Sequence, residues 1–129
     1  MTNEKQIRAI IEEWARAARE ENMEGVLKNH HKDIVMFDLP YPLQSKGMEE
    51  YKRTWELFFN WTKLPKVFDI VEIEIIATDD LAFAYGIVHC MGKNKDGMIE
   101  EFDFRLTMCF KKVDNNWLIY HEHHSSPVE

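Results

Sequence analysis

Two histidines one residue apart, His121 and His123, close the last apolar run of the chain, Trp117-Leu118-Ile119-Tyr120-His121-Glu122-His123-His124-Ser125. In an extended chain alternate side chains share a face, so Trp117, Ile119, His121, His123 and Ser125 lie on one parity and Leu118, Tyr120, Glu122 and His124 on the other. A neutral imidazole with a pKa of about 6.5 can give or take a proton near pH 7, and two on one strand face can serve one space. The plainer reading is a pair of histidines hydrogen-bonded within a sheet. Asp38 is a second candidate: it follows Ile34-Val35-Met36-Phe37 and precedes Leu39-Pro40, so a stiff loop holds its carboxylate near a cavity mouth. An Asx turn at a strand end is the plainer account.

Arg105 is a third candidate. Along Glu101 to Phe110 one parity is Glu101, Asp103, Arg105, Thr107 and Cys109; the other is Phe102, Phe104, Leu106, Met108 and Phe110. If the polar parity lines a cavity, Arg105 and His123 can polarise a developing oxyanion while Asp38 or His121 takes the proton. The apolar parity then lies outside and needs a cover, which a homodimer through the outer sheet face supplies. If the apolar parity packs inward, Asp103 and Arg105 face solvent. Tyr41, Tyr51 and Trp55 fit an aromatic ligand lining as well as they fit a core. A zinc site needs three or four ligands, and His30, His31 and His89 have no spacing that compels a third, so neither a metal nor a cofactor is expected.

The elements that must position these groups are legible from periodicity. At 129 residues the chain, residues 1–129, fits one domain. Its net charge of −7 argues against a nucleic-acid backbone or an anionic membrane as partner. Ile7, Ile10, Ile11, Trp14, Ala15 and Ala18 have helical spacing, with Thr2 or Asn3 as cap. A short second helix from Asn22 runs through Val26, Leu27 and His30. Ile34 to Phe37 reads as a strand, and Pro40 and Pro42 force an extended loop. Met48, Tyr51, Trp55, Phe58, Phe59 and Thr62 mark a third helix ending before Pro65. Four strands follow: Lys66 to Thr78, Leu81 to Lys93, Met98 to Val113 and Trp117 to Ser125, with Asp96-Gly97 supplying one hairpin turn. Cys90 and Cys109 read as reduced core thiols, and a polar N-terminus with no long apolar run suggests a cytoplasmic protein.

This order resembles the SnoaL-like and ketosteroid-isomerase-like branch of the nuclear transport factor 2 fold. The resemblance rests on Phe37-Asp38, Gly47 before the aromatic helix, Asp79-Asp80-Leu81-Ala82-Phe83-Ala84, Arg105-Leu106-Thr107 and Trp117…His121-x-His123-x-Ser125-x-Pro127. It implies an α+β cone: three N-terminal helices on a curved, mainly antiparallel sheet around a central pocket. It places Asp38 at the position of the isomerases' base, Trp14 where they carry a hydrogen-bonding tyrosine, and Asp103 near their protonated aspartic acid. It also favours the polar parity, with Arg105 and the closing histidines, as pocket-lining. The implied ligand is an apolar, oxygen-bearing small molecule, bound for proton transfer next to a carbonyl by an isomerase, cyclase or dehydratase, or held without reaction in a binding or dimerisation domain.

Overall fold

The computed structural model describes residues 1–128. Helix α1, Asn3–Arg19, is capped by the Thr2 hydroxyl, which accepts from Lys5 N. Its first turn carries Glu4 and its last Arg16 and Arg19, the charge order that suits a helix dipole. It buries Ile7, Ile11, Trp14, Ala15 and Ala18. Helix α2, Met23–Leu27, is a five-residue turn capped by Asn22. It stops short of His30, because the chain turns at Asn29 in the left-handed region, φ 63°, and strand β1, His30–Phe37, begins there. The two substantial helices are therefore α1 and α3, Gly47–Trp61; the expected trio is two helices and a single short turn.

Strand β2, Ser45–Lys46, is a two-residue pairing partner of β1. The meander follows: β3, Lys63–Ala77; β4, Leu81–Lys93; β5, Ile99–Val113; and β6, Asn116–Ser125. The six strands form one open sheet in the order β2-β1-β6-β5-β4-β3. Only β1 and β6 run parallel; the other neighbours are antiparallel. Gly86 on β4 pairs with Ile73, just past the β3 irregularity between Ile70 and Glu72. A Cβ there would sit 2.1 Å from the Glu72 carbonyl oxygen, so the two backbones approach as closely as only glycine permits. The Asp96-Gly97 turn is present, with Gly97 at φ 77°.

The core lies between the sheet and α1 and α3. On β5 the buried residues are Phe104, Leu106, Met108 and Phe110, with Phe102 half-buried beside them. The apolar parity thus packs on the helices, and Asp103 and Arg105 occupy the outer face, opposite to the arrangement the resemblance favoured. The transfer free energy decides this: burying four large apolar side chains contributes about 1.5–3 kcal/mol each, whereas an arginine would have to be desolvated. With those phenylalanines inside, β5 presents no apolar outer row for a dimer to cover.

Strand β6 holds a second reversal. Ile119 pairs with Phe110 and His121 with Cys109, so one extra residue of β6, Tyr120, stands between consecutive partners on β5. This bulge flips the alternation. Trp117 and Ile119 point inward before it; Glu122 and His124 point inward after it. His121 and His123 are left on the outer face, where Phe37 packs edge-on against both rings. Both cysteines are free, and no helix among the described residues is long and apolar enough to cross a membrane.

Candidate functional site

Between α3, the Asp38–Gln44 loop and the inner sheet face lies a cavity of about 730 Å³. Its walls are aromatic: Trp55, Phe58 and Trp61 from α3, Phe68 from β3, and Phe102 and Phe104 from β5. The Trp55–Phe58 and Phe58–Phe68 pairs pack edge to face with centroids 5.6 and 5.8 Å apart, an arrangement ring quadrupoles prefer, and the other wall pairs are tilted. Asp38 and His124 supply a compact polar end, and Gln44, Glu50 and Arg53 stand among the remaining lining.

The polar end is built from four elements. Asp38 follows directly on β1 and lines the cavity; its Oδ1 accepts from the adjacent Leu39 N at 2.8 Å, and the expected Asx turn does not form, because the residue two further on is Pro40, which has no N–H to donate. His124 Nδ1 lies 3.2 Å from Asp38 Oδ1, and its Nε2 lies 3.1 Å from Glu122 Oε1. An imidazole between two carboxylates must donate from both nitrogens, so His124 is an imidazolium. Burial alone would lower its pKa, but hydrogen bonds to Asp38 and Glu122 and their charges push it up to about 9.

Glu122 is fully buried. Its Oε2 accepts from the Tyr51 hydroxyl at 2.6 Å and meets His30 Nε2 in a short hydrogen bond. His30 Nδ1 donates to the Lys28 carbonyl at 2.9 Å, which fixes the ring. Burial pushes the Glu122 carboxyl up, but His30 and His124 outweigh it and hold it at about 2. Tyr51 is driven well above a free phenol, first by burial and then by the Glu122 charge. Trp14 Nε1 donates to the Tyr51 oxygen at 3.2 Å. A continuous buried chain thus runs Asp38–His124–Glu122, branching to His30 and to Tyr51 and Trp14.

Of the residues singled out from sequence, Asp38, Tyr41 and Trp55 line the cavity. Tyr41 is 91 % exposed on the loop, at the rim rather than in the wall. Tyr51 and Trp14 lie beneath the cavity inside the hydrogen-bonded chain. Arg105, Asp103, His121 and His123 are separated from it by the sheet. There Arg105 donates to the Ser125 hydroxyl and His121 Nδ1 to the Val35 carbonyl. Asp103 pairs with His89 Nδ1 at 2.6 Å, a hydrogen bond that raises the His89 pKa. The oxyanion pair implied by the resemblance is therefore not assembled: the Trp14 N–H is spent on Tyr51, and Asp103 is on the far face. Glu122, His124 and His30 are the site residues the sequence reading passed over. The visible signal was an acid and a histidine on one parity of an apolar strand. Among the described residues no group of three or more His, Cys, Asp or Glu side chains is placed to hold a metal ion.

Comparison with known proteins accords with this architecture. Residues 7–129 match the SnoaL-like domain family, and the chain belongs to it. A nuclear transport factor 2-like protein of unknown function from Pseudomonas putida is 30% identical, with a TM-score of 0.87 over 98% of this chain and 87% of that one. A ketosteroid isomerase-like protein from Erwinia carotovora is 19% identical, with a TM-score of 0.80 over 98% and 100%. A Streptomyces avermitilis protein provisionally described as a dehydratase is 14% identical, with a TM-score of 0.83 over 97% and 96%. The last two likenesses concern the fold alone. Among curated proteins there is no match.

Proposed function

We propose that the cavity binds a mostly apolar, oxygen-bearing small molecule and that Asp38 accepts a proton from a carbon next to its carbonyl group. The observation that carries this reading is the Asp38–His124 pair at the polar end of an otherwise aromatic cavity. Asp38 Oδ1 is occupied by Leu39 N and His124, while Oδ2 accepts no hydrogen bond among the described residues and is the free basic atom. The His124 imidazolium beside it lowers the energy of negative charge developing on a ligand oxygen at that end. The aromatic walls lower the local dielectric and strengthen both effects. The reaction class is isomerisation, cyclisation or dehydration without a cofactor, consistent with the names some structural neighbours carry.

A second reading, ligand binding without turnover, has one observation in its favour: both His124 N–H groups are already committed to protein carboxylates. The two readings separate with 5-nitrobenzisoxazole, an apolar ring whose C–H proton passes to a base as its N–O bond breaks and the electron pair settles on the phenolate oxygen. Proton transfer by Asp38 predicts saturable turnover that falls about 100-fold or more in Asp38→Asn with KM little changed. Equal rates in the two proteins would overturn the catalytic reading, and saturable binding without turnover would favour the second.

A further inference from the structure

We propose that Glu122 is a positioning residue: it holds His124 as a two-way donor and so fixes a positive charge beside Asp38 at the polar end of the cavity. The inference rests on the reading of Asp38 given above, but its geometry stands apart from it. A neutral imidazole has one N–H. Between Asp38 Oδ1 at 3.2 Å and Glu122 Oε1 at 3.1 Å it would turn a lone pair toward one carboxylate, so both contacts persist only when both nitrogens carry protons. Glu122 is what requires the second proton. With an amide at 122 a neutral His124 could still donate to Asp38 while Nε2 accepts from the amide, and the site would lose its fixed positive charge without losing its shape.

The surroundings of Glu122 mark it as more than a filler of the core. A leucine would close this sheet face at less desolvation cost. Instead one fully buried carboxylate is held from three elements: His30 on β1, Tyr51 on α3 and His124 on β6. His30 is itself pinned to the Lys28 carbonyl, and Tyr51 to Trp14 of α1. The groups that face His124 are Asp38 after β1, Glu122 on its own strand, the Trp14 ring of α1 and the Phe104 ring of β5. The two carboxylates are its only charged neighbours in that set. The Phe104 ring lies against the imidazole with centroids 4.8 Å apart.

The test uses the full chain with isotope-labelled histidine. The His124 resonance is assigned by its loss in His124→Gln, and its titration is followed by NMR in the wild type and in Glu122→Gln. Expected is a wild-type ring still protonated at pH 8, and in Glu122→Gln a midpoint at least one unit lower. With 5-nitrobenzisoxazole, Glu122→Gln should lower kcat by about 10- to 100-fold and shift its pH profile, while KM stays within about threefold because the cavity walls are untouched. A wild-type midpoint below pH 7, which needs no variant, overturns the inference, as does an unchanged midpoint in Glu122→Gln. If Asp38→Asn retains full turnover, the catalytic reading fails by itself, and the His124 titration still decides the role of Glu122.

Discussion

Tyr51 and Glu122, on α3 and β6, meet through a 2.6 Å hydrogen bond inside the core, so a helix and the closing strand are joined by a polar contact where apolar packing would ordinarily do. Tyr51→Phe keeps the ring and its packing and deletes that contact. Glu122 then remains buried and charged with one donor fewer. We expect a loss of about 1.5 to 3 kcal/mol of unfolding free energy, the range for hydrogen bonds to charged groups, read as a lower urea midpoint with unchanged slope.

The same chain makes stability depend on pH in two separate windows. His124 is raised from 6.5 to about 9. Its contribution is therefore fully present below about pH 6.5 and is lost as pH rises through 9. That difference corresponds to about 3 kcal/mol as an order of magnitude. Glu122 is lowered from 4.5 to about 2, so its contribution is complete above about pH 4.5 and is lost as pH falls through 2. Urea midpoints between pH 5 and 9.5 should decline above pH 6.5 in the wild type and stay nearly flat there in His124→Gln. A wild type that is equally stable at pH 6 and pH 9 would contradict the pairing.

Phe68 is buried at the centre of the aromatic wall, touching the rings of Trp14, Trp55, Phe58 and Phe104. Phe68→Ala should cost about 3 to 5 kcal/mol in stability by leaving a void the neighbouring rings cannot fill. Thermal unfolding with near-ultraviolet circular dichroism measures the loss and the loosened aromatic packing together.

Arg105 and His123 lie on the outer face and are exposed. Arg105→Ala and His123→Ala should each leave 5-nitrobenzisoxazole turnover within about twofold, and stability within about 0.5 kcal/mol, because neither touches the cavity or the buried chain. A rate loss of tenfold or more in either would place that residue in the site after all.

Much of the fold was legible because its period is local. The spacing of Ile7, Ile11 and Trp14 gives α1, that of Tyr51, Trp55 and Phe58 gives α3, and Asp96-Gly97 gives a hairpin. Asp38 was legible as a site residue because a strand end before Pro40 leaves a carboxylate few places to go. Which face of β5 turns inward was also written in the sequence, in four large apolar side chains, and the family likeness outweighed it. The β6 assignment failed for a different reason. Alternation is readable only while the strand is regular, and no residue type announces that Tyr120 is the one without a partner. His30 was hidden too, because the helical pattern through Val26 and Leu27 extends over it in the sequence, whereas α2 ends at Leu27 and the chain turns at Asn29.

The bulge at Tyr120 therefore acts as a phase setter for the site. The run His121-Glu122-His123-His124 contains two alternative pairs of side chains, an acid with a histidine or two histidines, and the length of the strand ahead of it selects which pair turns to the inner face of the sheet. In this architecture a change of one residue in strand length, with every functional side chain retained, exchanges a carboxylate–imidazolium site for a bis-imidazole one. Insertions and deletions near Tyr120 are thus as direct a route to new chemistry as substitutions within the cavity.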